Sequence, residues 1–563
     1  MQRIAWLVLA AGALCACRDR ESDWDVAPVD PSDPTRTPPL ELTVGLTGSV
    51  AAVDKSLDRL LMFTVPSGFD LETTVIPLGP NPSVWQASPD RRRLFVLTRG
   101  VDTPEENVEP TLTVVAGGTR PAVCNRFALD VPHSRMVIDP QGEWVVLHDA
   151  SAFVRNTSEL VLARLHPEAS CHNLSEDERE SEVINKTLRS ELGDVPQQMF
   201  FTKQLSLPGG DRRTLLVQRD ESIQLLDLEA LLDDPETEPL TIPMSEPVGG
   251  ETAMHGTPVE TAVYPGGTET VPYAWFAVRM ANQSDILLVE LRESDEDSSG
   301  IEYSLNLAPV GAVPSDIEWV ITDRGLRLAA LTPLSATAGR AVLVDPYTSV
   351  TQSVDLPAAY DRMSLITDDV SGASDVERID QALLWTDYEP VLGFWDLDQT
   401  GTRLFASVDA RNTGIAMSQV IPVTQDPEGE LRHLRILRGH NANEFRLLDL
   451  AARTDTQLEV EGDASFQLVV APDARRVWVY PPAGSGMVVS PAVLPEGHSE
   501  DLFVELAVEA VHDIARRDGG RAALVMHRNT TATYSLGTTV FDAETPQSTE
   551  TRFYGSLLLG GLR

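Results

Sequence analysis

The sequence predicts an all-β chain, a β-propeller of seven or eight four-stranded blades closed by pairing of the N- and C-terminal strands. Three observations carry this prediction. In Trp85-Gln-Ala-Ser-Pro-Asp-Arg-Arg-Arg-Leu-Phe-Val-Leu-Thr-Arg99, Pro and Asp preset a turn between two runs of bulky strand formers, which makes a hairpin. That hairpin recurs, and with Thr111 to Val115 and Cys124 to Leu129 it gives four strands in about fifty residues, the size of one blade. Amphipathic stretches of helix length are nearly absent; Glu229 to Leu232 and Asp375 to Leu384 read as short turns or a helix.

At the N-terminus, Met1-Gln2-Arg3 supplies positive charge and Ile4 to Leu14 an apolar run too short to span a bilayer. Leu14-Cys15-Ala16-Cys17 then offers small residues for cleavage. This resembles the bacterial lipoprotein signal, which implies removal of residues 1–16 and lipidation of Cys17. Cys15 fits less well, because Leu14 would then stand where a small side chain is expected. An ordinary secretory leader is the alternative. Two or more acyl chains anchor stably, since each buried methylene contributes roughly 0.8 kcal/mol. Arg18 follows Cys17, and the absence of an Asp there points to the outer membrane by the enterobacterial sorting rule. Residues 17–40 read as an acidic, Pro-rich, disordered tether that includes Asp30-Pro31-Ser32-Asp33-Pro34, and residues 41–563 as the propeller.

Within the body, Thr43 to Leu46, Arg59 to Phe63 and Thr73 to Ile76 read as three strands of an incomplete first unit. The Trp85 unit follows. Later hairpins run Met136 to Leu147, Met199 to Val217, Thr261 to Val278, Ile317 to Leu331, Leu392 to Ser407, Phe466 to Tyr480 and Val511 to Met526. Third strands such as Ile223 to Leu226 and Ile286 to Val289 follow some of them. The incomplete first unit leaves Phe553 to Leu558 to pair with the N-terminal strands, which would remove exposed sheet edges. Insertions at Ser170 to Asp194 and Asp368 to Arg378 stretch the spacing, and Tyr360 to Leu458 parses poorly.

The Ser-Pro-Asp hairpins resemble those of the bacterial YVTN and lactonase-like (WD40-like) β-propellers. Ser88-Pro89-Asp90 is the nearest copy, with Arg91 where glycine is usual, and Ala471-Pro472-Asp473 comes next. The WD40 pattern itself is missing, since no Trp-Asp follows Gly439-His440 at blade spacing.

Composition narrows the partners. Lys and Arg total 44 against 85 Asp and Glu, a formal net charge of −41, which speaks against nucleic acid, whose binding rests on cationic contacts to phosphate. In an exported chain, Cys124 and Cys171 are most simply a disulfide. No metal or other cofactor is expected. Neither cysteine has a second cysteine or well-spaced His nearby, and the ten histidines include no His-Glu-x-x-His. Asp396 to Gly401 looks like the start of a calcium loop, but Ser407 stands where the distal glutamate belongs.

One chemical feature recurs. Arg99, His148, Arg219, Arg279 and Arg528 close the second strands of hairpins, with Arg411 slightly later, and together suggest an anion-binding face. Asp149, Asp220 and Glu221 beside them leave solvated, neutralised turn charges as the alternative. A second set, Arg93, Arg213, Arg327, Arg403, Arg476 and Arg521, precedes the second strands and is expected to order the turns through local Asp contacts.

These features lead to a non-catalytic, lipid-anchored propeller in the cell envelope that presents a binding or scaffolding surface to a protein or polymer ligand. One alternative is an envelope assembly factor, similar in architecture to the propeller lipoprotein of the outer-membrane barrel-assembly machine. The other is a lactonase-like hydrolase with its site in the propeller channel.

Overall fold

In a computed structural model, residues 40–557 are described apart from connecting stretches, the longest being 245–256, 368–378, 398–407, 423–433 and 494–503. Cys17, the tether and the insertion at 368–378 lie outside the described residues. Among the described residues the chain forms ten four-stranded antiparallel sheets, each a run of strands taken in chain order. Two short hairpins, Val101–Asp102 with Asn107–Val108 and Leu205–Leu207 with Gly210–Arg212, are inserted within the second and fourth sheets. The chain divides into two compact units, one of residues 1–132, 166–180 and 466–563 and the other of 133–165 and 181–465.

The first unit holds sheets one, two, nine and ten. Sheet one is Leu40–Leu46, Ser49–Asp54, Arg59–Thr64 and Glu72–Pro77, so it is complete. The strand missed from sequence is Ser49–Asp54, whose Ala51 and Ala52 are fully buried but lack the bulk by which strands are recognised. Sheet two is Pro82–Ala87, Arg93–Thr98, Thr111–Ala116 and Ala122–Ala128. Leu60, Met62, Leu94, Val96 and Val115 form a core shared by the two sheets. The Thr47 N–H donates to Arg91 O at 2.8 Å beside it.

The Ser-Pro-Asp turn is held by its own side chains. Ser88 Oγ donates to Asp90 Oδ1 (2.5 Å), while the N–H groups of Arg93 and Arg92 donate to Ser88 Oγ (2.9 Å) and Asp90 Oδ1 (3.0 Å). Arg91 sits at φ 57°, the left-handed region, which is why glycine is the usual residue there.

The last sheet corrects the expected closure. Arg552–Leu557 pairs with Leu536–Asp542 inside sheet ten, and Leu40–Leu46 pairs with Ser49–Asp54, so N- and C-terminal strands do not share a sheet. Instead, Leu40–Leu46 and Ser49–Asp54 lie beside Val511–Arg516, the first strand of sheet ten. Each sheet completes its own four strands, so none is left to be exchanged.

Residues 166–180 dock on sheet two. Cys171 is bonded to Cys124 across a sequence separation of 47, and the His166 N–H donates to Asn125 Oδ1 at 3.1 Å. The short helix Glu176–Arg179 begins at Ser175, whose Oγ and N–H both donate to the Glu178 carboxylate.

The second unit holds sheets three to eight. Sheet three is Arg135–Ile138, Trp144–His148, Glu159–Arg164 and Val183–Thr187. Its fourth strand lies in what reads as an insertion from Ser170 to Asp194. Sheet four is Gln198–Phe201, Thr214–Gln218, Ser222–Asp227 and Leu240–Pro243. The helix anticipated at Glu229 to Leu232 is present as Leu228–Asp233, with Asp227 capping the N–H groups of Glu229 and Ala230. Sheet five is Pro258–Tyr264, Trp275–Met280, Asp285–Glu293 and Ile301–Pro309. Sheet six is Asp316–Thr322, Gly325–Ser335, Ala338–Val344 and Thr351–Leu356.

Sheets seven and eight occupy the region that parses poorly. Sheet seven is Arg362–Thr367, Ile379–Trp385, Val391–Asp396 and Val408–Asn412. The stretch Asp375 to Leu384, read as short turns or a helix, contributes to the strand Ile379–Trp385, whose Ala382, Leu383 and Leu384 are fully buried. Leu392 to Ser407 likewise supplies a third strand rather than an opening hairpin. Sheet eight is Met417–Pro422, Leu434–Gly439, Glu444–Asp449 and Thr454–Glu459. With these two sheets and a complete first one, the expected seven or eight units become ten.

Two outcomes follow. Arg91→Gly removes a left-handed L-residue from an exposed turn and should raise stability by roughly 0.5–1 kcal/mol in urea unfolding, whereas Arg91→Ala should give no gain. Replacing Cys124 and Cys171 together with Ser should lower stability by roughly 4 kcal/mol, the chain entropy of a loop this long, measured the same way under oxidising conditions.

Candidate functional site

First strands of successive sheets in the second unit lie side by side. Pro258–Tyr264 is beside Asp316–Thr322, which in turn is beside Arg362–Thr367. A cavity of about 320 Å³ opens on the first strands of sheets four, five and six, lined by Phe200, Phe201, Lys203, Glu260, Pro265 and Glu318 among others. In Asp316–Thr322, Ile317 and Trp319 enter the core shared with sheet five, while Asp316 and Glu318 point the other way and stay half-buried.

The carboxyl groups are unequally partnered. Glu260 Oε2 accepts from Arg279 Nε at 2.7 Å across its hairpin, and Arg279 Nη1 donates to Pro314 O at 3.1 Å. Asp316 Oδ2 accepts from the Met363 N–H at 2.6 Å, which links sheets six and seven. Thr261 Oγ1 donates to Gln218 Oε1, which links sheets five and four. Burial pushes Glu260 up to about 7, with Asp316 adding repulsion and Arg279 opposing the rise. Glu318 is also pushed up to about 7, by burial first and then by the negative charges of Asp316 and Glu260. Burial raises Asp316 too, against its bond from Met363. Carboxyls that titrate near neutrality can exchange protons or receive a cation there.

The residues expected to form an anion-binding face do not offer a row of exposed cations. Arg99 is exposed, directly after Arg93–Thr98. Arg219 is 1 % exposed, and Arg279 is committed to Glu260. His148 is half-buried and held below its usual range by burial and then by Arg135. Arg411 falls in the fourth strand of sheet seven, not after a second strand, and Arg528 ends the second strand of sheet ten. Among the described side chains, Arg219 is buried and Arg279 is paired, while Arg99 stays exposed.

In the second set, Arg213 pairs with Asp139 and Glu143 of the preceding sheet, and Arg327 with Asp345 at 3.2 Å within its own. Arg403 and Arg521 lie outside the described residues. Asp396, the first residue of the calcium-like stretch, accepts from Arg453 of the next sheet.

Glu260, Asp316 and Glu318 are not identified from sequence. Their signal is present, as acidic residues at alternate positions in otherwise apolar first strands, Val259-Glu260-Thr261-Ala262-Val263 and Asp316-Ile317-Glu318-Trp319-Val320.

No family model matches the chain. No curated protein matches it either. Among solved structures it is similar to the β-propeller domain of Cps50 (Swd1) from Myceliophteria thermophila, at 12% identity over 62% of this chain and 93% of that one, with a TM-score of 0.34. It is also similar to the Dos1 propeller, at 11% identity over 70% and 89%, with a TM-score of 0.36. A third match is dihydro-heme d1 dehydrogenase NirN, at 13% identity over 77% and 75%, with a TM-score of 0.38.

The raised carboxyls set a pH dependence. An acid whose folded pKa lies above its ordinary 4.5 keeps its proton longer in the native state, so its contribution is most favourable below pH 4.5 and is lost as pH rises to about 7. Glu318→Gln should therefore match the parent near pH 4.5 and exceed it above pH 7.5, by on the order of 2 kcal/mol in urea unfolding.

Proposed function

We propose that the protein is exported, anchored through a lipid on Cys17, and serves as a non-catalytic propeller presenting a binding or scaffolding surface in the cell envelope. The observation that carries the binding role is the series of four-stranded meanders with neighbouring first strands, because this arrangement brings loops of several sheets to one surface. Within its own unit the first sheet packs on the first strand of the tenth, the same side-by-side stacking seen among the sheets of the second unit. The charged run, apolar run and Leu14-Cys15-Ala16-Cys17 support the address. A hydrolase is the second reading, favoured by Glu260 and Glu318, two carboxyls raised to about 7 on one cavity.

Anchoring is tested by expressing the full chain and its Cys17→Ser variant in a Gram-negative host with labelled palmitate. The parent should be labelled and sediment with membranes, and the variant should be unlabelled and released on lysis. An unlabelled parent, or a labelled variant, rejects the anchor. Crosslinking in intact envelopes should capture a partner with the parent.

A further inference from the structure

We propose that the cavity on the first strands of sheets four, five and six binds a small organic cation, its ammonium or guanidinium head on Glu318 and Glu260 and its apolar part on Phe200, Phe201 and Pro265. This goes beyond the envelope role and does not depend on lipid anchoring.

The argument begins with Glu318. Its side chain lines the cavity, and among the described residues it makes no hydrogen bond or ion pair. Three carboxyls, Glu260, Asp316 and Glu318, share this corner, and the one guanidinium bonded among them, Arg279, is spent on Glu260 and Pro314 O. The corner is short of positive charge. Lys203 lines the same cavity but is exposed, a position suited to the rim.

The other wall decides what kind of cation fits. A bare metal ion wants a shell of oxygens, and Phe200, Phe201, Leu205, Val263, Pro265 and Ile317 offer carbon instead. A cation with an attached apolar group satisfies both walls, with aromatic rings adding a favourable face for positive charge. The volume, about 320 Å³, falls at the lower end of small-molecule sites, which run roughly from 300 to 1,000 Å³. The titration of Glu260 and Glu318 near neutrality adds a signature: a bound cation stabilises their ionised forms, so affinity should rise between pH 6 and pH 8. Asp316, Arg279 and Lys203 complete the charged groups around them.

Calorimetric titration of the full chain with benzylammonium, benzyl alcohol and calcium chloride at pH 8 tests the site. Benzylammonium should bind one per chain, with benzyl alcohol at least tenfold weaker. Glu318→Gln should weaken benzylammonium at least tenfold, Phe200→Ala severalfold, and Lys203→Met should strengthen it. Glu318→Gln removes a buried charge, and an unfolding midpoint at or above the parent's shows that the fold is kept. Equal binding of benzyl alcohol, unchanged binding in Glu318→Gln, tighter binding of calcium than of benzylammonium, or no binding at all overturns the proposal.

Discussion

The inner sheets of the second unit have two apolar faces and no way to cover either alone. In the second unit the solution is visible residue by residue. Leu215 and Val217 enter the core shared with sheet three, while Leu216 between them enters the one shared with sheet five. Phe276 and Val278 face sheet four, and Trp275 and Ala277 face sheet six. Leu328 and Ala330 point back to sheet five, and Ala329 and Leu331 forward to sheet seven. With roughly 1.5–3 kcal/mol for each large apolar side chain taken from water, a sheet without both neighbours loses most of what holds it. The units are therefore stable as stacks, and polar links such as Trp319 Nε1 to Ala262 O at 3.2 Å add register between sheets.

That constraint also explains where chemistry is possible. The middles of second strands such as Leu94 to Leu97 and Trp144 to Leu147 are covered on both sides and read as apolar runs, so they have no room for reactive groups. In sheets four, five and six the first strands border the cavity. Glu260 and Glu318 line it and Asp316 stands on the same strand as Glu318, where an acidic side chain is tolerated at the cost of a raised pKa. A stability penalty concentrated at one spot in an otherwise consistent architecture is the usual mark of a site retained for binding or catalysis.

The same asymmetry governed what was legible. The class of fold and most second strands could be read from continuous apolar runs such as Leu94 to Leu97 and Trp144 to Leu147, because double coverage leaves a strong pattern. Ser49–Asp54 escaped because its small side chains pack tightly without looking strand-like. Asp375 to Leu384 read as short turns or a helix because a short buried run has no period that separates helix from strand. The closure of the chain was misjudged for a different reason: one overlooked strand made a complete sheet look deficient, and the deficiency asked for a donor. For the site, composition pointed to other residues. In a chain of net charge −41 the eye goes to recurring arginines, yet Arg219 and Arg279 are rare cations absorbed by their surroundings.

Arg213 and Arg279 show what those absorbed cations accomplish. Arg213 immediately precedes the second strand of sheet four but pairs with Asp139, whose carboxylate also orders the Gln141 and Glu143 N–H groups in the turn of sheet three. Arg279 belongs to sheet five, holds Glu260 on its own hairpin and reaches Pro314 O on the way into sheet six. Each pairing is half-buried and so screened less than a surface pair, and each joins a turn to its neighbour rather than to bulk solvent. Arginine suits this task because its planar fork serves two acceptors at once. Where an arginine is already divided in this way, as at Glu260, a carboxyl on the neighbouring first strand is left to find its counter-charge elsewhere. Glu318 is in that position, and the open side of its surroundings is the cavity.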